Sequence, residues 1–214
     1  MKKINFGFAI LILFLISINT AKAQEKKDLL ISFGIGGITT YANRSIESAQ
    51  MGLGYLISAN YFLTKKHSLT FDYIGGSHRY AYNPFQEMGI SPPTSSGMAS
   101  PTIVYHQFSL LFKYKIISAK RFDVAIGTGL SIQSYIDKRP DYSVRHEPAT
   151  NSYFWHWSTF STVAGTIPVL PLKAEVSFRL TDRLLAGVEG GLAYFPYNYL
   201  SAIHLIPRIG YLIR

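Results

Sequence analysis

The 214-residue chain contains no cysteine, so it is not a small scaffold held together by disulfides. Charge is scarce as well: Asp, Glu, Lys and Arg together make 15% of the chain, against roughly 25% in a typical soluble domain. Acids are the scarcer sign, 12 against 21 Lys and Arg, and a basic excess points to nucleic acid or to anionic lipid as a neighbour. Beyond Gln24 no stretch places apolar residues at i, i+3 and i+4 over several turns, which leaves no amphipathic helix to build a bundle from. What the chain has instead is 48% hydrophobic and 14% aromatic residues, with 15 Tyr, 14 Phe and 17 Gly. Such a composition can offset the entropy of ordering, so disorder is excluded. The length suits one domain.

Lys2 and Lys3 precede an apolar run from Ile4 to Ile18, and Ala21-Lys22-Ala23 has the small-x-small form of a cleavage site. Residues 1–23 are therefore expected to be a secretory signal peptide and residues 24–214 the exported domain. The run is shorter than the roughly 20 apolar residues a spanning helix needs. No cysteine lies near the cleavage site to carry a lipid. Removing the peptide takes three lysines and no acid from the 21 bases, leaving 18 against 12 acids, a net +6. In an exported chain lipid is the better reading of that excess and nucleic acid is not expected, although charges scattered along the sequence also suit a plain solvated surface.

The body of the chain alternates with period two, the strand signal. Eight segments show it, near residues 28–38, 51–63, 68–76, 107–114, 122–133, 172–179, 184–194 and 204–213. In the first, Leu29, Ile31, Phe33 and Ile35 oppose Leu30, Ser32, Gly34 and Gly36; in the last, Leu205, Ile209, Tyr211 and Ile213 oppose His204, Arg208 and Gly210. Strands of about 9–13 residues match the 9–11 that a tilted strand needs to cross a bilayer. Short links at 64–67, 117–121 and 181–183 alternate with longer ones at 39–50, 77–102 and 136–157, and a modest one at 195–201. Short turns at one end and long loops at the other are the pattern of an outer-membrane barrel. Tyr55, Tyr61, Tyr73, Tyr114, Tyr194 and Tyr211 share the apolar face near strand ends, as aromatic girdles would.

On this architecture the chain resembles the small outer-membrane β-barrels of the OmpA-transmembrane and OmpX-like group over nearly all of residues 28–214. The terminal Arg208-Ile209-Gly210-Tyr211-Leu212-Ile213-Arg214 is similar to that group's assembly signal, except that it ends in arginine and not in an aromatic residue. The resemblance implies a closed antiparallel up-and-down transmembrane β-barrel of eight strands, integral to the outer membrane, with both termini periplasmic. It also implies outer-membrane lipids including lipopolysaccharide, and the barrel-assembly machinery, as partners. Residues 157–171, with Pro168 and Pro171, fit poorly, because proline cannot donate to a ladder. Either the sixth strand continues well beyond the membrane or an extra strand makes ten.

No convincing catalytic constellation appears. The Gly-x-Gly pairs at 34/36, 52/54 and 127/129 complete no phosphate-binding motif; their parity points them into the barrel. The six histidines show no metal-ligand spacing, and no cofactor is expected. His156 and Ser158 share a strand face and superficially resemble the His-x-Ser of lipid A-modifying barrels, but no orienting acid accompanies them. The sharper expectation is inside. Strand parity sends Asp72, Asp123, Glu175 and Glu189 inward with Lys113, Lys173, Arg179 and Arg208, four acids and four bases. Buried charges persist when paired, so a plugged lumen is expected, with Glu175 and Glu189 facing Arg179 and Arg208. The function expected of such a barrel is structural, or binding and adhesion of an extracellular ligand through the outer loops. A narrow porin is the alternative, and a lipid A-modifying enzyme a more distant one.

Overall fold

The period-two alternation becomes eight strands: β1 Leu29–Thr40, β2 Gly52–Phe62, β3 His67–Ala81, β4 Thr102–Ser118, β5 Phe122–Glu147, β6 Ser152–Arg179, β7 Leu184–Phe195 and β8 Tyr199–Ile213. The structure, a computed structural model, describes residues 28–40, 48–49, 51–81, 101–147, 152–195 and 199–214. The expected signal peptide and the tips of the expected long connections lie outside them. Each strand pairs antiparallel with its chain neighbours, and β1 pairs with β8 from Leu29↔Ile213 to Thr40↔Ala202. The ring of pairings closes, so within it no strand is left with an open edge. A two-residue strand, Ser48–Ala49, adds to the end of β3.

The two faces are inverted relative to a soluble protein. Ile31, Phe33, Phe108, Leu110, Leu172, Phe178, Leu205 and Ile209 are exposed on the outside, whereas Ser58, Thr70, Asp72, Gln107, Lys113, Gln133 and Glu189 are buried inside. A closed sheet satisfies its backbone polar groups internally, which is what permits strands to span hydrocarbon. The interior is layered. Of the cluster Ile38, Leu56, Ile74, Tyr105, Val169, Ala193, Ala202 and Ile206, the members on β3, β4, β6, β7 and β8 lie farther from the end carrying the termini than Asp72, Lys113, Lys173, Glu189 and Arg208 on the same strands do.

The strands depart from the expected lengths. β5 and β6 have 26 and 28 residues, and most of the expected loop at 136–157 is a continuing hairpin, paired from Asp137↔Val163 to Glu147↔Ser152 with one register shift at Asp141/Tyr142. No ninth and tenth barrel strands arise from 157–171. That stretch belongs to β6, with Pro168 opposite Ile132 and Pro171 opposite Ala193. The carbonyl of Pro171 accepts from Thr128 Oγ1 at 2.9 Å, so even where the proline cannot donate, its acceptor is used. On its described part the β6 side of the extension shows no burial contrast, residues 161–164 being exposed on both faces, so alternation there carries no signal.

Candidate functional site

Inward parity and small neighbours together make room for long charged side chains. A methyl group on Gly127 would come within 2.6 Å of Lys113 Cγ, and one on Gly191 would strike the His204 ring and sit 3.1 Å from Lys173 Cγ. These lumenal glycines are the space into which the lysine stems fold.

The eight residues singled out by parity fall into two clusters. In the middle of the barrel Lys113 Nζ lies 3.1 Å from Glu175 Oε2 and 3.0 Å from Glu189 Oε2. Lys173 Nζ lies 2.7 Å from Asp72 Oδ2 and 3.1 Å from Glu189 Oε1. Arg208 pairs with Glu175 and approaches Glu189 at 3.6 Å. Strands β3, β4, β6, β7 and β8 are thereby tied across the lumen, with Glu189 fully buried at the hub. Three acids face three bases, and the layer is neutral apart from His204, whose Nε2 stands 3.7 Å from Glu189.

The second cluster sits at the end carrying the termini. Asp123 Oδ2 accepts from Lys115 Nζ at 3.1 Å and from Arg179 Nη2 at 3.3 Å, and Asp123 Oδ1 from Ser118 Oγ at 2.7 Å. It borders an open cavity of about 360 Å³. Arg179 therefore serves Asp123 and not Glu175 or Glu189 as expected; it is the last residue of β6, four residues past Glu175 and too far along the strand to reach the hub. Lys115 and His204 belong to these clusters and were missed, although both share inward parity with residues that were named.

Above the charged layer a neutral hydrogen-bonded layer continues the filling. Gln107 Nε2 donates to Ser109 Oγ at 2.9 Å and to Ser131 Oγ at 3.3 Å, Ser201 Oγ donates to Gln133 Oε1 at 2.6 Å, and Tyr105 OH donates to Gln107. Glutamine and serine gave no sequence signal beyond their parity. His156 and Ser158 lie on the backbone of β6, and their side chains fall outside those described. Among the described residues no three His, Asp or Glu side chains converge on a possible metal position. On the outer face, Tyr114, Tyr194 and Tyr211 are exposed, and Tyr73 OH bonds both Tyr55 OH at 3.2 Å and His106 Nδ1 at 2.8 Å.

Among solved structures, the fold is similar to that of small outer-membrane barrels. Ail, the attachment invasion locus protein of Yersinia pestis, aligns with a TM-score of 0.53 at 8% identity, over 88% of this chain and 100% of that one. Neisserial surface protein A aligns with a TM-score of 0.54 at 12% identity, over 86% and 96%. OprG from Pseudomonas aeruginosa gives 0.53 at 8% identity, over 88% and 96%. No protein-family model matches the sequence, nor does any curated protein. At such identities the likeness is one of fold, and the fold is the eight-stranded transmembrane β-barrel.

Proposed function

We propose that the chain is an integral outer-membrane barrel with a closed lumen, acting through what it presents outside the cell. The cross-lumen network around Glu189 carries this reading. A barrel of eight strands has an interior just wide enough for side chains, and here ionic and hydrogen-bonded layers occupy successive levels of it. An ion-selective tunnel would show one sign in excess, whereas this layer pairs three acids with three bases.

The surface offered for contact is the β5–β6 hairpin. Beyond Ile136 and Val163, the last large exposed apolar residues described on these strands, it continues for roughly 35 Å at about 3.3 Å per residue. With residues 1–23 removed as a signal peptide and both termini periplasmic, this hairpin faces outward. Lipopolysaccharide then surrounds the outer part of the apolar belt, and residues 208–214 address the barrel-assembly machinery. Ail has been seen in complex with the heparin analogue sucrose octasulfate, which supports an extracellular ligand as the kind of partner such a barrel takes. The aromatic residues Tyr142, Tyr153 and Phe154 on the hairpin suit that contact.

The mature chain is expected in the outer-membrane fraction, with a gel mobility that changes on heating and no steady conductance in planar bilayers. Protease added to intact cells should cut within 139–159. Steady conductance would replace the closed lumen with a narrow porin. Recovery as a soluble periplasmic protein would remove the membrane assignment, and cleavage at 64–67 in intact cells would invert the orientation.

A further inference from the structure

The excess positive charge is not scattered in space. The mid-barrel ion pairs cancel, and at the end opposite the termini the described residues carry four bases against three acids. At the end carrying the termini they carry eight bases against three acids, close to the whole excess of the exported chain.

Four of those cations occupy equivalent stations. The three short turns join β2 to β3, β4 to β5 and β6 to β7, and β8 ends beside β1, so Lys66, Arg121, Arg183 and Arg214 recur every second strand around the rim. The first three are pinned alike: Lys66 O accepts from Lys115 N at 2.8 Å, Arg121 O from Arg179 N at 2.8 Å and Arg183 O from Leu212 N at 2.7 Å. Two turns even share their chemistry. Thr64 Oγ1 accepts from the backbone N–H of Lys66 at 3.2 Å and of His67 at 2.9 Å, and Thr181 Oγ1 from Arg183 at 3.3 Å and Leu184 at 3.0 Å. Threonine hydroxyls of this kind set a local turn, and here they fix a basic residue at its third position. All four cations are exposed. Each also has an exposed apolar neighbour within a few residues, Leu63, Ile117, Leu180 and Ile213 respectively. Arg183 additionally donates to Tyr211 OH at 3.3 Å.

We infer that this rim is a binding surface for the phosphate headgroups of anionic phospholipid, in the leaflet at the end carrying the termini. The inference rests on the barrel reading above. Cations held directly beyond an apolar belt lie at headgroup depth, with their stems against acyl chains and their charge in water. A rim built to hold a soluble acidic polymer has no use for an apolar residue under every cation. Neighbouring stations, two strands apart, are separated by roughly 10 Å along the rim, a spacing on the scale of individual lipid headgroups.

The test reconstitutes the full mature chain in phosphatidylcholine vesicles, with and without phosphatidylglycerol in both leaflets, and measures the relative association of spin-labelled lipids. Symmetric leaflets bring the rim against anionic lipid whichever way the barrel inserts. Selectivity for phosphatidylglycerol should reach at least about fivefold, the weight of one cation near an anionic surface. It should fall toward unity at 1 M salt, where the Debye length is about 3 Å. The quadruple variant Lys66→Gln, Arg121→Gln, Arg183→Gln and Arg214→Gln should lose it, and Arg79→Gln with Lys138→Gln at the opposite end should keep it. Equal association of the two lipids with the unsubstituted chain overturns the inference, as does equal loss in the control pair. Binding to peptidoglycan sacculi that the quadruple variant loses, without lipid selectivity, also overturns it, assigning the rim to cell-wall polymer. Failure of the unsubstituted chain to insert as a heat-modifiable band is the separate signature that the barrel reading has failed.

Discussion

Glu189→Gln should destabilise the folded barrel by about 3–5 kcal/mol, measured as a lower urea midpoint in lipid vesicles. The carboxylate is fully buried and is shared by Lys113 at 3.0 Å, Lys173 at 3.1 Å and Arg208 at 3.6 Å. Taking its charge away leaves three cations against Asp72 and Glu175, in a lumen where an unmatched charge cannot recover its hydration. The pair itself is worth less than the cost of breaking it, so Glu189→Gln combined with Lys113→Met should lose less than the sum of the two single variants. Arg179 makes the contrast. It is 46% exposed and bonded to Asp123, so Arg179→Ala should cost below about 1 kcal/mol. Bilayers carrying Glu189→Gln should stay electrically silent, because the amide fills the same volume. A wild-type midpoint for Glu189→Gln would mean that the network contributes nothing to holding the strands together.

Gly36→Val should prevent the barrel from closing. A Cβ at that position would stand 2.7 Å from Ile206 Cα and 3.0 Å from Pro207 Cδ, and would also meet the Leu205 carbonyl oxygen. These are mostly atoms of the β8 main chain, which cannot swing aside as a side-chain tip can. Gly34 meets the same strand, with Pro207 O at 2.5 Å and Ile206 Cγ2 at 2.6 Å from its would-be Cβ. The two glycines let β1 and β8 approach closely around a proline that has no N–H to give the ladder, and the recorded pairing skips from Gly34↔Arg208 to Gly37↔Leu205. The cost should therefore exceed the roughly 1–3 kcal/mol of ordinary overpacking, and the unheated sample should show no shifted band. Gly190→Ala is the control, since its Cβ would meet Leu205 Cδ1 at an ordinary 3.5 Å; that variant should fold. A folded Gly36→Val barrel with a normal midpoint would show that the seam is looser than drawn.

Much of this was legible in the sequence because a closed barrel in lipid obeys one strong rule. The alternation of Phe122, Val124 and Ile126 with Asp123, Ala125 and Gly127 states which side meets hydrocarbon, and a slip of one residue would invert every position. The eight-stranded ring followed from that parity and from the short links at 64–67, 117–121 and 181–183. Parity alone does not measure height along a strand. It therefore grouped Arg179 and Asp123 with the hub around Glu189, although they lie at the mouth of the barrel. Nor does it weigh neutral residues, which is why Gln107, Gln133 and Ser201 drew no notice. The β5–β6 extension was hidden for a related reason: residues 161–164 are exposed on both faces, so parity there marks no inside and no outside. The basic rim was hidden differently, by distance along the chain, since Lys66, Arg121, Arg183 and Arg214 meet only when the ring is drawn.

The pairing of β1 with β8 has a consequence for how the chain assembles. Every other strand pairing of the ring joins strands adjacent in sequence, so those pairings can form as successive hairpins, each closing a modest loop. The β1–β8 contact joins Leu29 to Ile213, nearly the full span of the domain, and can form only after the others have curled the sheet upon itself. Loop-closure entropy grows only logarithmically with length, so the penalty for this last step is moderate in free energy. Its weight falls on the rate, since non-local pairings slow folding. Assembly of this barrel is therefore a zipper that runs along the sequence and ends with its two ends meeting, and the time spent waiting for that meeting is when β1 and β8 are both unpaired edges.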